Sequence, residues 1–453
     1  MSELSLPLNT KFKPYLLLIC GFEIVFLLLM VKSISMSIVF ASLITCTIFL
    51  FIYPEFSLAV ALTGNILLSI IFDHFHVNIP IPVIIAYILL LGSSAIFVAF
   101  QQTPGRKIHI GKLIYITIAI WFLMIFSLSY SGNRSYGLEK VAFFLLFNVA
   151  LISLPLLFRE NLEKIRNIFI FTFLLGIILG IVTTFIALNA SSYARFQPSE
   201  SVNSIWLARS LGVSIIAGAV LFIRVHRRML KLLLLAILPF FIYPMLETGS
   251  RAPFLGLVGS LLLIFLLQPA QPLSRKIKVT IIAMVLAFGY LAVSSSTVSA
   301  RISDPNTVDV FSAVSRFAAW AQSFKDFMNS PLLGIGTGSF ELDLFWLTFT
   351  YPHNLFLELA CETGIIGLIL ICVFVFLSIK YGLRNIKNYH QNHLFLPTQL
   401  SIISLAIFVY ALWNSMFSGD IQHNEIIWFG AGLIWVLHIS VPSQTENVNR
   451  EDS

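Results

Sequence analysis

A histidine beside an apolar segment is the residue of this sequence best suited to acid–base chemistry. His353 and Asn354 occur in "YPHNLFLELACETGIIGL", where a polar segment ends and an apolar run begins. A neutral imidazole, with an ordinary pKa of about 6.5, can take a proton from a hydroxyl group at neutral pH. Asn354 can cap the helix that follows and so fix the imidazole, although a lone histidine at such a place often has a structural role.

Four arginines are candidate anion ligands, because a guanidinium keeps its charge and donates two parallel hydrogen bonds to a phosphate. Arg251, in "ETGSRAPFLGL", stands at a predicted helix start, where free backbone N–H groups also favour an anion. Arg209 lies inside an apolar run, where a charge needs a partner or an aqueous cavity. Arg316 and Arg301 belong to a long polar segment. Simpler alternatives are snorkelling for Arg209, pairing with Glu247 for Arg251 and an exposed loop charge for Arg301.

Two glutamates follow the histidine on the same predicted helix. Glu358 and Glu362 are four residues apart, so their carboxylates lie on one face of the helix. One or both can face a cavity or pair with an arginine. We interpret Glu358 as a supporting residue of a candidate site around His353.

Two other patterns are weaker. "GIGTGSF", residues 334–340, resembles a phosphate loop but lacks the Lys-Ser/Thr ending and follows no predicted strand. "DHFHVN", residues 73–78, contains potential metal ligands but no fourth one nearby. We therefore expect neither a metal nor another cofactor.

Membrane helices must position these side chains. The 453 residues are 58% hydrophobic and only 11% charged, whereas a soluble domain is about one quarter charged. This composition excludes a soluble globular protein and is typical of a chain embedded in a lipid bilayer. The net charge of +7 is then a topology signal, and we expect no nucleic-acid partner. All four cysteines lie in apolar runs, which argues against disulfides.

Apolar runs of about 20 residues, the length that crosses a bilayer, predict an all-α, polytopic helical bundle. The candidate spans lie at 15–31, 36–53, 57–72, 81–100, 113–129, 141–157, 167–189, 204–223, 230–246, 252–267, 279–297, 354–379, 395–416 and 425–441. We expect about 12 to 14 true spans. They form a single membrane domain over residues 1–441, followed by a cytoplasmic tail at 442–453.

The basic residues orient these helices. If the N-terminus is cytoplasmic, the same side of the membrane holds "TPGRKIHIGK", "RENLEKIR", "RVHRRMLK", "SRKIK" and "KYGLRNIKNYH", as the positive-inside rule requires. The C-terminus is then also cytoplasmic, and residues 298–352 form a long external loop. Apolar residues at helical spacing between Phe311 and Phe327 predict an amphipathic helix in this loop, near the membrane surface, where it can cover a cavity.

The residues around His353 also form a recognisable motif. His353-Asn354, then nine residues to Gly364 and two more to Gly367, gives the pattern H-N-x9-G-x2-G. This pattern resembles the motif of the O-antigen ligase family of lipopolysaccharide assembly. "SRFAAWAQSFKDFMNSPLLGIGTGSF" and "TGSRAPFLGL" are likewise similar to segments of the wider superfamily, which includes O-antigen polymerases. The similarity extends over residues 200–440.

The resemblance implies a GT-C-like, metal-independent, inverting glycosyltransferase in the bacterial inner membrane. Its donor would be a glycan on undecaprenyl pyrophosphate, and its acceptor a sugar hydroxyl of lipid A-core at the periplasmic face. His353 would be the catalytic residue. The residues that would bind the pyrophosphate are Arg251, Arg316, Arg209 and Arg301, where Arg301 can replace Arg316 in the correspondence.

Two alternatives stay open. A polymerase of O-antigen or exopolysaccharide repeat units uses the same donor and extends another lipid-linked glycan. A transporter of lipid-linked sugars is expected to have charges near the bilayer midplane, whereas here the charges cluster at the external helix ends. That clustering favours chemistry at the membrane surface over translocation.

Overall fold

The fold is known from a computed structural model, which describes residues 53, 55–74, 111–189, 196–224, 227–268, 308–344 and 347–440. Most of these residues are helical. The α-helices are α1 (Phe56–Ala59), α2 (Asn65–His74), α3 (Lys112–Ser127), α4 (Arg134–Phe143), α5 (Ala150–Ser153), α6 (Leu162–Asn189), α7 (Ser204–Arg224), α8 (Arg228–Glu247), α9 (Arg251–Leu267), α10 (Val308–Asn329), α11 (Leu355–Gln391), α12 (Phe395–Ser415) and α13 (Glu425–Ile439). The linking segments are π-helical at Val60–Gly64 and Phe144–Val149 and 3₁₀-helical at Leu128–Tyr130 and Leu154–Phe158. Strands β1 (Leu342–Leu344) and β2 (Leu347–Phe349) form a short antiparallel hairpin.

These helices confirm the polytopic membrane fold. Within the described ranges, seven helices are long and apolar enough to cross a bilayer. Three shorter apolar helices, at Phe56–Ile71, Arg251–Leu267 and Glu425–Ile439, also coincide with predicted spans. The spans predicted before residue 53, at 81–100 and at 279–297 lie outside the described residues.

Hydrogen bonds between loops define one end of the bundle, here called the loop face. Tyr136 Oη donates to Asp420 Oδ2 over 2.9 Å, and Asn354 Nδ2 donates to the carbonyl of Met416 over 3.2 Å. These bonds join the start of α4, the start of α11 and the segment 416–424, which we call the 416–424 loop.

The centre of the bundle is formed by α7, α12 and α13. In the most apolar windows of α7 and α12, 72% of the residues are buried, against 17% in α8. Trp428 and Phe429 of α13 are completely buried. A helix that is apolar on all sides is suited to the core of a large protein or to a membrane span. The side chains of Leu232 and Leu233 on α8 are instead more than half exposed, as expected for a lipid-facing helix.

Helix α11 is kinked at Gly364, one of the two glycines of the H-N-x9-G-x2-G motif. Gly364 has a φ of 71° and a ψ of −162°, so the helical hydrogen bonding is interrupted there. Two backbone N–H groups from the preceding turn replace it: Ile335 donates to the carbonyl of Cys361 over 2.8 Å, and Gly336 donates to that of Glu362 over 3.0 Å. The kink therefore depends on α11 and on the turn that precedes it.

The turn at residues 334–338, here called the glycine turn, also contacts the connection between α3 and α4. Thr337 and Ser127 form a hydroxyl–hydroxyl hydrogen bond of 2.6 Å, and Ser131 Oγ donates to the Thr337 carbonyl over 2.8 Å. The glycine turn is thus held between that connection and the kink of α11. The prediction that "GIGTGSF" is not a phosphate loop is consistent with these contacts, because several of its backbone N–H groups donate to the chain's own carbonyls and that of Thr337 donates to the Ser127 hydroxyl.

Helix α10 is the amphipathic helix predicted in the long loop. Its small side chains Ser315, Ala319 and Ser323 face the bundle and are buried. The side chains of Phe317 and Phe324 are 65% and 56% exposed. The small residues let α10 lie close to the bundle, while Phe317 and Phe324 point away from it. This arrangement is typical of a helix at a membrane surface.

The kink yields a test of stability. We expect Gly364→Ala to lower the free energy of unfolding by more than about 1–3 kcal/mol, the usual cost of a strained backbone conformation. A Cβ atom at this φ would also overlap the carbonyl of Leu332. Gly259→Ala in α9 is the matched control, because a Cβ there meets nothing within 4 Å. Thermal unfolding of the two purified variants checks this, and equal melting temperatures would contradict it.

Candidate active site

Two of the predicted cations meet at one cavity on the loop face. Arg251 and Arg316 both line a cavity of about 110 Å³, together with Ser250 and Ser418. Arg251 is the first residue of α9, and Ser250 is the N-cap residue before it. The cavity therefore has a helix N-terminus and two guanidinium groups in its wall, which is the chemistry of an anion site.

Three separate segments build this cavity. The turn before α9 contributes Gly249 and Ser250, α10 contributes Ser312 and Arg316, and the 416–424 loop contributes Ser418. The two arginines are 65 residues apart in sequence. Only the packing of α10 on the bundle brings them to one place.

His353 lies directly before α11 in a strained backbone conformation. Its φ is 58°, in the left-handed region that non-glycine residues rarely adopt. The rings of Tyr351 and Phe349 contact the imidazole edge-on, with centroids 4.5 and 6.1 Å away. Its buried Nδ1 has no hydrogen-bond partner among the described residues. Such strain is common at functional sites.

The surroundings keep His353 neutral. Burial, followed by the positive charges of Arg316 and Arg209 and opposed by the negative charge of Asp420, lowers the pKa of His353 to about 4. At neutral pH the imidazole is therefore uncharged and has a lone pair available for a proton. The influence of Arg316 links the histidine to the arginine cavity.

Asn354 caps α11, as the sequence predicts. Its Oδ1 accepts hydrogen bonds from the backbone N–H groups of Phe356 (3.1 Å) and Leu357 (3.2 Å). Its Nδ2 also binds the carbonyl of Met416. One side chain thus fixes both the start of α11 and its distance from the 416–424 loop.

Arg209 is buried and holds the 416–424 loop. Its guanidinium donates to the carbonyls of Asn414 (2.9 Å) and Ser418 (2.8 Å) and to the Asn424 side chain (3.2 Å). Only 4% of the residue is exposed, so the snorkelling alternative is wrong. Arg209 is not among the residues that line the arginine cavity, although its neighbour in these contacts, Ser418, is. Arg301 lies outside the described residues.

Glu358 pairs with a lysine that the sequence did not single out. Lys140 Nζ on α4 lies 2.5 Å from Glu358 Oε1 and 2.7 Å from Glu362 Oε1, and the lysine and Glu358 side chains are fully buried. The expectation of an arginine partner for these glutamates is therefore wrong. The lysine stands at the boundary of a predicted span, and nothing in the sequence indicates which helix it faces.

A second histidine on the loop face was also missed. His423 Nδ1 lies 2.6 Å from Asp420 Oδ1, and the His423 backbone N–H donates to the same oxygen over 3.1 Å. Asp420 is completely buried, and Tyr136 donates to its other oxygen. The only signal in the sequence is the spacing D-x-x-H in a short polar loop.

Asp420 and His423 shift each other's pKa. Burial alone would raise the pKa of Asp420, but the hydrogen bond and positive charge of His423 lower it below its usual value. Burial disfavours the imidazolium of His423, but the hydrogen bond and charge of Asp420 outweigh it and raise the pKa of His423. His353 is thus a weaker base than an ordinary histidine, and His423 is a stronger one.

The fold defines a polytopic membrane protein, and its loop face carries a cavity lined by two arginines. Residues 240–372 match the model of the family described as O-antigen ligase. This segment contains Arg251, Arg316 and His353, and the kink at Gly364. This match, over residues 240–372 of the 453, supports the O-antigen ligase superfamily. No curated protein matches the chain.

The buried lysine gives one test of this architecture. We expect Lys140→Met to destabilise the protein by about 3–5 kcal/mol, because two buried carboxylates lose their partner. Adding Glu358→Gln and Glu362→Gln removes both charges and should recover most of that loss. Thermal unfolding in the same lipid checks both variants. A triple variant no more stable than Lys140→Met would show that the ion pairs are not the cause.

The low pKa of His353 predicts a pH dependence of stability. The unfolded chain, with a histidine pKa of about 6.5, binds more protons than the folded chain between pH 6.5 and about 4. Stability from this residue should therefore fall as the pH drops through that window. The variant His353→Asn is suitable because asparagine tolerates a positive φ. It should remove the part of the pH-dependent stability that His353 contributes, on the order of 1 kcal/mol once solvent screening of the partly exposed ring is taken into account. The check is the melting-temperature difference from wild type across this range, with His393→Asn, at an exposed histidine, as control.

Proposed function

We propose that the protein is an O-antigen ligase-like glycosyltransferase. It moves a glycan from undecaprenyl pyrophosphate to a sugar hydroxyl of lipid A-core, at the periplasmic face of the bacterial inner membrane. The observation that carries this proposal is the cavity lined by Arg251 and Arg316, with neutral His353 under the influence of Arg316. All three residues lie in the segment that matches the O-antigen ligase family.

The orientation follows from the distribution of basic residues. Arg159, Lys164 and Arg166 surround the connection before α6, and Arg384 and Lys387 lie near the end of α11. These segments are at the end of the bundle opposite the loop face. By the positive-inside rule we assign that end to the cytoplasm and the loop face to the periplasm, with both termini cytoplasmic.

The proposed reaction is a direct displacement. His353 takes the proton of the acceptor hydroxyl as its oxygen attacks the anomeric carbon of the donor sugar. The bond between that carbon and the pyrophosphate oxygen breaks, and the electron pair leaves with undecaprenyl pyrophosphate. Arg251 and Arg316 hold the negative charge of the leaving group in the cavity. The configuration at the anomeric carbon inverts, and the guanidinium groups supply the charge stabilisation without a metal.

Donor binding would strengthen the base. The charge of Arg316 contributes to the low pKa of His353. A pyrophosphate anion beside Arg316 offsets that charge, so the pKa of His353 rises toward the operating pH. A general base works best when its pKa is close to that pH. The histidine is thus most effective when a donor is present.

Gene deletion with analysis of lipopolysaccharide on gels tests the proposal. Loss of a ligase leaves bare lipid A-core and accumulates lipid-linked polymer. Core carrying a single repeat would indicate the polymerase alternative, and precursor trapped on the cytoplasmic face would indicate a transporter.

Complementation of the deletion strain with variants tests the residues. We expect His353→Asn to reduce glycan transfer about 10²–10⁴-fold, as for loss of a general base. Arg251→Ala and Arg316→Ala should each reduce it about 10²–10³-fold. His393→Asn is the matched control and should leave transfer unchanged. Wild-type transfer by well-expressed His353→Asn would rule out the proposed base.

A further inference from the structure

The reaction proposed above uses neither His423 nor Trp206, although each lies on a segment that also contributes a residue to the arginine cavity. Their rings are stacked, with centroids 5.4 Å apart and planes at 28°. Phe143 adds a third ring, 6.4 Å from the imidazole. Trp206 is 39% exposed, and so is the His423 side chain. The three rings therefore form a partly exposed aromatic surface on the loop face.

The His423 imidazole is held in one orientation by a buried carboxylate. Asp420 is completely buried, and a buried carboxylate is expensive unless it is fully hydrogen-bonded. It satisfies its oxygens with the His423 ring, the His423 backbone N–H and the Tyr136 hydroxyl. Because Nδ1 binds Asp420, the other ring nitrogen, Nε2, is directed away from the carboxylate. Packing alone does not require a buried carboxylate to orient a partly exposed histidine ring.

Two segments, the start of α7 and the 416–424 loop, contribute residues both to the aromatic surface and to the arginine cavity. Trp206 follows Ile205 on α7, and Ile205 lines the cavity. His423 belongs to the same short loop as Ser418, another residue of the cavity wall. Arg209 holds this loop through Ser418 and Asn424, so the cavity and the surface are fixed relative to each other.

A sugar ring fits this surface chemically. A pyranose has apolar C–H faces and a rim of hydroxyl groups, so it needs both an apolar surface and directed hydrogen bonds. Indole and imidazole rings supply the first, and the indole N–H and imidazole Nε2 supply the second. In a lipid-linked donor, the group bonded to the pyrophosphate is a sugar. A phosphate in the arginine cavity would place that sugar beside Trp206 and His423.

We propose that Trp206 and His423, with Asp420 as the positioning residue for the imidazole, form a subsite that binds a sugar ring of the glycan substrate. The inference rests on the proposed transferase function. Because α7 and the 416–424 loop also line the arginine cavity, we assign the subsite to the donor sugar next to the pyrophosphate. A sugar of the acceptor has the same chemistry, so the experiment must distinguish the two sources.

Steady-state kinetics of the purified full-length chain in lipid nanodiscs tests the subsite, with undecaprenyl-pyrophosphate-linked glycan and purified lipid A-core as substrates. We expect Trp206→Ala and His423→Gln to raise the KM for the lipid-linked glycan about tenfold, with kcat within threefold of wild type. Asp420→Asn should have a smaller effect in the same direction. Trp206→Phe, which keeps a stacked ring, should stay close to wild type. Tyr115→Ala removes another exposed aromatic residue, at the opposite end of the bundle, as a control.

Other outcomes have definite meanings. A raised KM for lipid A-core alone would assign the subsite to the acceptor and overturn the donor assignment. A large loss of kcat for His423→Gln, with loss of the acidic limb of the pH profile, would make His423 a proton-transfer residue instead. Unchanged kinetics would overturn the subsite. Equal effects on both substrates with a lower melting temperature would also overturn it, and would show that Trp206 and His423 form only a structural contact.

Direct binding separates this proposal from the proposed function. If wild-type protein transfers no glycan to lipid A-core, the transferase assignment fails, but affinity for the lipid-linked glycan can still be measured in nanodiscs. The subsite predicts about tenfold weaker binding to Trp206→Ala and His423→Gln than to wild type or Tyr115→Ala. Equal affinities would overturn it.

Discussion

Every backbone carbonyl freed inside a membrane helix needs a hydrogen-bond donor, and this constraint fixes the candidate site. The kink at Gly364 interrupts helical bonding in α11, and the N–H groups of Ile335 and Gly336 bind the carbonyls of Cys361 and Glu362. The glycine turn is therefore tied to the kink. Because the same turn also contacts the α3–α4 connection, the first part of α11 is fixed relative to two neighbouring segments. His353 and Asn354 stand at the start of that part.

Buried charges fix the loop face in a similar way. Lys140 joins α4 to the first turns of α11 through Glu358 and Glu362, and Arg209 joins α7 to the 416–424 loop. A charge without a partner is costly in these positions, so each contact discriminates strongly against other arrangements. Arg209 contacts Ser418, which lines the arginine cavity, and Glu358 lies on the first turns of α11, directly after His353. The charges inside the bundle thus position residues at its surface.

The sequence predicts the helices well but their mutual contacts poorly. Hydropathy alone identifies the spans that the structure describes, and the Ser250–Arg251 pair indicates a helix start with an arginine on it. Asn354 is recognisable as a cap because capping is local. The partner of Glu358 is not, since Lys140 is more than 200 residues away and only tertiary packing brings them together. The Asp420–His423 pair is local, but its spacing resembles many polar loops, and only its burial shows that the carboxylate orients the ring.

The effect of Arg316 on the pKa of His353 has a consequence for the proposed reaction cycle. If an anion in the cavity raises the pKa of His353, then by thermodynamic linkage protonated His353 strengthens binding of that anion. After transfer, the histidine carries the acceptor's proton while undecaprenyl pyrophosphate still occupies the cavity. Product and proton then stabilise each other. Since the pKa of His353 is about 4 without a neighbouring anion, release of the lipid product favours loss of the proton at neutral pH. The same arginine that holds the leaving group therefore also returns the base to its neutral form.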